Sequence, residues 1–154
     1  MKIAFGCDHG GFEHKSALIN FLEKEGHEVI DCGCFSAESC DYPDFASAAT
    51  EKIISGVCNR GILICGTGVG ISIAANKFHG IRAAVCWSEE VAKLVSGHND
   101  ANILCLPGRF SKTGLMSKCI KTWLSTPFSN EQRHINRINK IKDIEKRVCN
   151  GGNK

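Results

Sequence analysis

The stretch "GILICGTGVGIS", Gly61 to Ser72, joins an apolar run to a glycine-rich loop and then to a helical pattern. The run that ends at Cys65 is nearly continuous in apolar or small residues, as a strand covered on both faces should be. Three glycines spaced two apart follow it, and a helix is predicted to begin near Val69. A strand, a tight loop and a helix in this order are typical of an α/β fold.

Four further runs have the same character, and segments with helical spacing of apolar residues separate them. They are "KIAFGC" (2–7), "HEVIDC" (27–32), "IRAAVC" (81–86) and "NILCLP" (102–107). Strict alternation of strand and helix requires crossover connections and predicts a parallel sheet. The predicted fold is a three-layer α/β/α sandwich with a five-stranded parallel sheet, Rossmann-like or flavodoxin-like, in one domain over residues 1–148.

The C-terminal segment differs from the rest of the chain in charge. Residues 131–154 carry seven Lys or Arg against three Asp or Glu. Isoleucines at 135, 138, 141 and 144 place an apolar stripe on a basic helix predicted over 131–148. The Pro-containing linker 125–130 separates this helix from the sheet, so we expect the helix to pack on a partner subunit. Residues 149–154 are predicted to form a disordered tail.

Composition excludes several classes of protein. The chain of 154 residues has ten cysteines, but it shows no secretory signal peptide and no apolar run of membrane-spanning length. We therefore expect a cytoplasmic protein with reduced thiols that binds neither a membrane nor nucleic acid. Cys32, Cys34 and Cys40 form the only cysteine cluster, and no second half at zinc spacing follows, so no metal site is predicted.

The loop after Cys65 matches neither common nucleotide motif. The dinucleotide fingerprint requires a glycine where Ile71 stands, and the phosphate loop requires a lysine that is absent. What remains is a turn with converging backbone N–H groups, which suits a phosphate, a carboxylate or a transient enediolate, although a turn without a ligand has the same spacing. Such donors favour the thiolate of Cys65 as a nucleophile or general base. A buried core cysteine is the alternative.

Ligands of parallel sheets bind outside the carboxyl ends of the strands, and the loop after the first strand lies at this edge. It carries Asp8 and His9, whose polar side chains are costly to bury unless they face a cleft. A role in binding sugar hydroxyls or an anion is therefore reasonable. The alternative for Asp8 is a helix cap.

Later segments add candidate acid and anion-binding groups. His98 and Asn99 lie in a predicted turn before the fifth strand, and we expect this turn at the same sheet edge as Cys65. The histidine there could donate a proton or be a surface residue. Arg109 follows the fifth strand. Arg133 and Arg137 lie four apart on the last helix, a spacing that suits a phosphate and also a solvated helix face.

Taken together, these motifs resemble a known family. The segments "GCDHGGF" (6–12), "DYPDFA" (41–46), "CGTGVGISIAANK" (65–77), "IRAA" (81–84), "GHNDAN" (97–102) and "RHINR" (133–137) closely resemble the type B ribose-5-phosphate isomerases. The resemblance implies interconversion of D-ribose 5-phosphate and D-ribulose 5-phosphate in the non-oxidative pentose phosphate pathway, through a cis-enediolate and without metal or cofactor. It also implies a homodimer, or a dimer of such dimers, with shared active sites.

The resemblance implies a role for each matching residue. Cys65 would be the base that moves the proton between C2 and C1. His98 would donate the proton that opens the furanose ring, assisted by Asp8 and Thr67. The loop N–H groups would stabilise the enediolate, and further residues would hold the sugar and its phosphate, part of them from a second subunit. The loop residues are Gly66, Thr67, Gly68, Val69 and Gly70, and the further residues are His9, Tyr42, Asn99, Arg109, Arg133 and Arg137.

Related activities remain as alternatives. Some relatives place a glutamate where Ile71 stands, so this chain resembles those that use the cysteine. Galactose-6-phosphate isomerase subunits share the glycine loop but tend to lack the His–Asn and arginine pairs found here. Allose 6-phosphate could use the same groups in a wider pocket. A non-catalytic module that binds a phosphosugar or nucleotide would leave the combination of Cys65, Asp8 and His98 unexplained.

Overall fold

The computed structural model describes residues 1–151, with side chains to Val148, and in this range five strands alternate with helices before a final helix. The strands are β1 (Lys2–Cys7), β2 (Glu28–Asp31), β3 (Arg60–Cys65), β4 (Ala83–Val85) and β5 (Ile103–Pro107). The helices are α1 (Phe12–Lys24), α2 (Tyr42–Ile54), α3 (Val69–Ala75), α4 (Glu89–Asn99), α5 (Thr113–Ser125) and α6 (Gln132–Gly151). Each predicted strand is present. β2, β4 and β5 are shorter than predicted, and β3 begins one residue earlier.

The strands form one parallel sheet with the order β2-β1-β3-β5-β4. The three central strands are buried almost throughout, which explains why their sequences lack the polar alternation of a half-exposed strand. β5 lies between β3 and β4, so the last two strands are exchanged relative to the 2-1-3-4-5 order of flavodoxin-like sheets. The prediction of a five-stranded parallel sheet is confirmed.

Helices cover both faces of the sheet. On one face, α1, α4 and α5 bury Leu18, Val95 and Trp123 against it. On the other face, α2 and α3 bury Ala49 and Ile71. Because β3 points alternate side chains into these two layers, its apolar run is continuous. The predicted three-layer α/β/α sandwich is confirmed.

The last helix, α6, lies outside the sandwich and contacts α4. Ile138 of its isoleucine stripe is buried within the chain and is not available to a partner, whereas Ile141 and Ile144 are 41% and 51% exposed. The stripe thus leaves an uncovered apolar face only in its C-terminal half. α6 continues past the predicted end at Val148 as far as Gly151, and the last three residues of the predicted tail lie outside the described residues.

Among the described residues, no helix combines the length and the apolar character that crossing a membrane requires.

Candidate active site

Loops at the carboxyl ends of β1, β3 and β5 enclose a cavity of about 270 Å³, termed here the cysteine cavity. Cys65, the last residue of β3, lies at its floor with a side chain that is only 4% exposed. This is the edge at which ligands of parallel sheets bind. The lining residues are Asp8, His9, Tyr42, Cys65, Gly66, Thr67, Gly70 and Arg109.

The glycine loop presents backbone donors to this cavity. Gly68 has φ of 74°, a left-handed conformation that glycine adopts without steric cost, and it is the N-cap of α3. The hydroxyl of Thr67 accepts the N–H of Val69 at 3.2 Å. Within the described chain, the N–H groups of Thr67, Gly68 and Gly70 have no acceptor. An oxygen that develops negative charge beside Cys65 can therefore accept hydrogen bonds from them.

Asp8 fixes the loop that follows β1. Its buried carboxylate accepts the N–H of Gly10 at 2.8 Å. The N-cap of α1 is Gly11, which has no side-chain cap, so the alternative of Asp8 as a helix cap is wrong. The carboxylate keeps further lone pairs for a hydroxyl group in the cavity.

His9 and Arg109 form a pair of hydrogen-bond donors at the cavity. Nδ1 of His9 accepts the backbone N–H of Cys40 at 3.2 Å, and this bond assigns the proton of the neutral ring to Nε2. Nε2 lies 3.4 Å from a guanidinium nitrogen of Arg109. Both nitrogens carry hydrogen, so they can bind the same hydroxyl or phosphate oxygen.

Close backbone packing holds the three loops together. Gly108 donates its N–H to the carbonyl of Cys65 at 2.9 Å, and Arg109 donates to Gly66 at 3.0 Å. A Cβ on Gly108 would collide with the carbonyl oxygen of Gly10. The glycines at these positions therefore allow Arg109 to approach the loop that follows Cys65.

Tyr42 forms the opposite wall of the cysteine cavity. It is the first residue of α2, whose first turn also contains a proline. The tyrosine ring lies over Gly70, where an added Cβ would be 2.7 Å from Cζ. The third glycine of the loop thus makes room for an aromatic wall.

The C-terminal end of α4 carries two other predicted site residues, His98 and Asn99. They are helical and not in a turn as predicted, because α4 extends to Asn99 and is capped by Asp100, whose φ of 45° is left-handed. α4 runs back from the carboxyl ends of the strands, and Asp100 lies 3.9 Å from Arg60 at the amino end of β3. β3 spans about 16 Å from Arg60 to Cys65. The prediction that His98 lies at the same sheet edge as Cys65 is therefore wrong within one chain.

A second group of residues, termed the histidine cluster, consists of His98, Arg133, His134 and Arg137. The rings of His98 and His134 stack with 4.2 Å between their centroids. Nδ1 of His134 lies 2.7 Å from the hydroxyl of Ser129. Burial and the positive neighbours His98 and Arg133 lower the pKa of His134. Arg133 and Arg137 are exposed on α6, where they can bind an anion beside His98.

Asn99 lies apart from both groups. It lines a cavity of about 320 Å³ together with Arg82 and with Ile141 of α6. Arg82 donates to the backbone carbonyl of Asn99 at 3.1 Å. The exposed apolar face of α6 is thus continuous with the end of α4 that carries His98.

Six further cysteines of the described chain are buried, namely Cys7, Cys34, Cys58, Cys86, Cys105 and Cys119. Cys7 and Cys34 place their sulfur atoms 3.8 Å apart, and burial raises the pKa of Cys7 and of Cys105. Among the described side chains, no three of His, Cys, Asp or Glu lie close enough together to hold a metal ion.

Comparison with known proteins identifies the family of the chain. A family model described as ribose/galactose isomerase matches residues 3–141. The chain belongs to this family. It is 47% identical to ribose-5-phosphate isomerase B of Escherichia coli (strain K12), and the match covers 95% of this chain and 97% of that protein. The predicted sugar-phosphate isomerase is confirmed, and the non-catalytic module is set aside.

Solved structures of this isomerase family have the same fold. Ribose-5-phosphate isomerase B from Clostridium thermocellum matches with a TM-score of 0.93 and 51% identity, over 96% of this chain and 99% of that chain. The enzyme from Mycoplasma genitalium, solved with bound ribulose 5-phosphate, matches with a TM-score of 0.90 and 38% identity, over 94% of this chain and 96% of that one.

Three features of this isomerase site are missed by reasoning from the sequence. His134 stands inside the "RHINR" motif, yet only the structure shows that it stacks on His98. The N–H of Cys40 that orients His9 is a backbone group and leaves no trace in the sequence. The third feature is His14, which is buried behind the loop that carries Arg109.

Proposed function

We propose that the chain interconverts D-ribose 5-phosphate and D-ribulose 5-phosphate through a cis-enediolate, in a site built from two copies of the chain. The observation that carries the proposal is the division of the predicted machinery into two incomplete halves. The cysteine cavity contains a thiol and free N–H donors, and the histidine cluster contains imidazoles and exposed arginines. Relatives named ribose-5-phosphate isomerase B, one of them with bound ribulose 5-phosphate, support the substrate.

A two-fold dimer would join the two halves. In such a dimer each copy presents the same surface to the other, so both sites are completed at once. Exposed Ile141 and Ile144 lie on the helix that carries the arginines, and exposed Val69 and Ile73 lie on α3 beside the cysteine cavity. We propose that α6 of one copy packs near α3 of the other and brings the histidine cluster to the partner's cavity.

The two halves would then divide the reaction. His98 of the partner subunit donates a proton to the ring oxygen as the bond between that oxygen and C1 breaks. Asp8 takes the proton that the C1 hydroxyl loses, and Thr67 orients this hydroxyl. Cys65, as a thiolate, takes the proton from C2, and the electron pair forms the C1–C2 double bond. The negative charge that develops on O1 is held by the loop N–H groups. Cys65 returns the proton to C1 as the C2 hydroxyl proton passes to O1, which gives the ketose.

Binding of the phosphate would position the sugar for these steps. The partner's Arg133 and the partner's Arg137 supply two guanidinium groups, and Arg109 with His9 supplies donors from the other side. Each proton is carried by a protein side chain or passes between hydroxyl oxygens of the substrate, so the proposed steps need no metal or cofactor. The nine cysteines described by the structure are free thiols, which supports a cytoplasmic enzyme because thiols stay reduced in that compartment.

Turnover of three sugar phosphates tests the proposal. The purified protein is incubated with ribose 5-phosphate, allose 6-phosphate or galactose 6-phosphate in the presence of EDTA, and ketose formation is followed. We expect the highest kcat/KM for ribose 5-phosphate. Turnover of a hexose phosphate alone would move the assignment to that sugar, and no turnover of any of the three would reject an isomerase of these substrates.

A further inference from the structure

His14 is a buried side chain that the proposed reaction does not use. It lies in the first turn of α1 and is 6% exposed. Its Nε2 is 2.9 Å from the carbonyl oxygen of Gly108, and its Nδ1 is 2.8 Å from the hydroxyl of Thr113. A carbonyl only accepts, so Nε2 donates to Gly108 and Nδ1 accepts from Thr113. Glu13 lies 3.2 Å from the same Nε2 and can share its hydrogen.

The contact with Gly108 connects His14 to the cysteine cavity. Gly108 donates its own N–H to Cys65, and the next residue, Arg109, donates to Gly66. The peptide from which the Arg109 side chain projects is therefore held from two sides. The loop after Cys65 holds one side, and the imidazole of His14 holds the other.

Arg109 stands at the boundary between two spaces. One is the cysteine cavity, and the other is an open cavity of about 620 Å³ that is also lined by His14, Lys112 and Thr113. A long flexible side chain at this boundary can point into either space, and only the first places it beside His9. The backbone at Gly108 and Arg109 sets the direction in which this side chain leaves the loop.

We propose that His14 is a positioning residue for Arg109. Its hydrogen bond to the Gly108 carbonyl fixes the loop so that the guanidinium group faces the cysteine cavity and binds the sugar phosphate there. The inference rests on the proposed function, because it takes Arg109 to be a substrate-binding residue.

Two amide variants separate the hydrogen bond from the bulk of the ring. In His14→Gln the amide nitrogen takes the place of Nε2 and can still donate to Gly108. In His14→Asn the amide nitrogen takes the place of Nδ1 and does not reach Gly108. We expect His14→Asn to raise KM for ribose 5-phosphate about tenfold with kcat nearly unchanged, and His14→Gln to keep a KM close to that of the unmodified protein.

The same substitution in an Arg109→Ala background shows whether His14 acts through the arginine. We expect His14→Asn to add no further increase in KM there, because the side chain that it positions is gone. If His14 had a purely structural role, His14→Asn would lower the thermal stability. It would also lower the activity by the same factor in the unmodified chain and in Arg109→Ala. Equal KM values for His14→Asn and the unmodified protein, or independent effects of the two substitutions, would overturn the proposal.

Crystal structures of the variants give a readout that does not depend on turnover. We expect the guanidinium group of Arg109 to stay near His9 in His14→Gln and to leave it in His14→Asn; an unmoved Arg109 in the latter overturns the proposal. Kinetics of the unmodified protein, measured first, report on the proposed function separately. If His14→Asn does not fold, Thr113→Val replaces it as the test, because it removes the hydroxyl that holds Nδ1 of His14. A raised KM for ribose 5-phosphate would support the proposal, and an unchanged KM would overturn it.

Discussion

A pair of inactive variants tests whether the active site is shared between two copies of the chain. Cys65→Ala removes the proposed base and His98→Ala removes the proposed ring-opening acid, so we expect that neither homodimer has a complete site. In a heterodimer of the two, a shared site brings the intact Cys65 of one copy to the intact His98 of the other once per dimer. We expect the heterodimer to regain about half of the wild-type turnover per dimer.

The distance between His98 and Cys65 within one chain explains why activity of the heterodimer requires a site shared between two copies. His98 stands two residues before Asp100, whose carboxylate lies 3.9 Å from the guanidinium group of Arg60 at the amino end of β3. The six residues of that strand span about 16 Å before Cys65 is reached. The atoms of one furanose ring lie within a few ångströms of one another, so one chain cannot bring both groups to the same ring. Each homodimer is expected to lose kcat/KM by about 10²–10⁴-fold, which leaves a low background.

The assay uses two affinity tags. The variants are co-expressed, the heterodimer is purified through both tags, and ribulose 5-phosphate formation is followed. A matched control pairs the Cys65→Ala/His98→Ala double variant with the unmodified chain. A shared site leaves this control without any complete site, whereas a site inside one chain leaves it about half active. An inactive heterodimer of the single variants together with an active control would refute the shared site.

Two further predictions concern the two halves of the site. In Gly70→Ala the new Cβ would lie 2.7 Å from Cζ of Tyr42, so we expect the displaced ring to raise KM for ribose 5-phosphate roughly fivefold. Gly114→Ala, where an added Cβ meets nothing within 4 Å, is the control and should leave the kinetics unchanged. Burial and neighbouring positive charges lower the pKa of His134 from its usual 6.5, so the native state binds a proton less readily than the unfolded state. The free energy of unfolding should therefore fall as the pH drops through 6.5, until the lowered native pKa is passed, and His134→Gln should flatten this loss. Urea unfolding at about pH 7.5 and about pH 5.5 measures the change in the free energy of unfolding between the two pH values. The same change in the unmodified protein and in His134→Gln would contradict the prediction.

The sheet and its ligand-binding edge could be predicted because each depends on local pattern. A run such as Gly61 to Cys65 has no polar alternation and must be covered on both faces, and the alternation with helices makes the sheet parallel. The exchange of β4 and β5 could not be predicted. Both orders satisfy the same apolar pattern, and the choice depends on packing between segments that are distant in the sequence.

The position of His98 was predicted wrongly although the sequence contains the relevant signal. Only four residues separate it from Ile103, where β5 begins. A residue so close to the start of a strand has to lie at the amino edge of the sheet, opposite Cys65. The segment "GHNDAN" can belong to the same site as Cys65 only if a second copy of the chain contributes it.

His14 shows what sequence patterns do not contain. Its partner Gly108 is 94 residues away, and a polar residue in the first turn of a helix is normally solvated. Only the packing of α1 against the loop after β5 shows that this imidazole is buried and has both nitrogens bonded.

Turnover of ribose 5-phosphate by the unmodified protein and by Cys65→Ala, each with EDTA present and each shown to be folded by thermal unfolding, tests the proposed function most directly. We expect ribulose 5-phosphate from the unmodified protein and a loss of about 10²–10⁴-fold in kcat for Cys65→Ala. A folded Cys65→Ala variant with near-normal turnover would remove the cysteine from the mechanism, and an unmodified protein that forms no ribulose 5-phosphate would contradict the assignment itself.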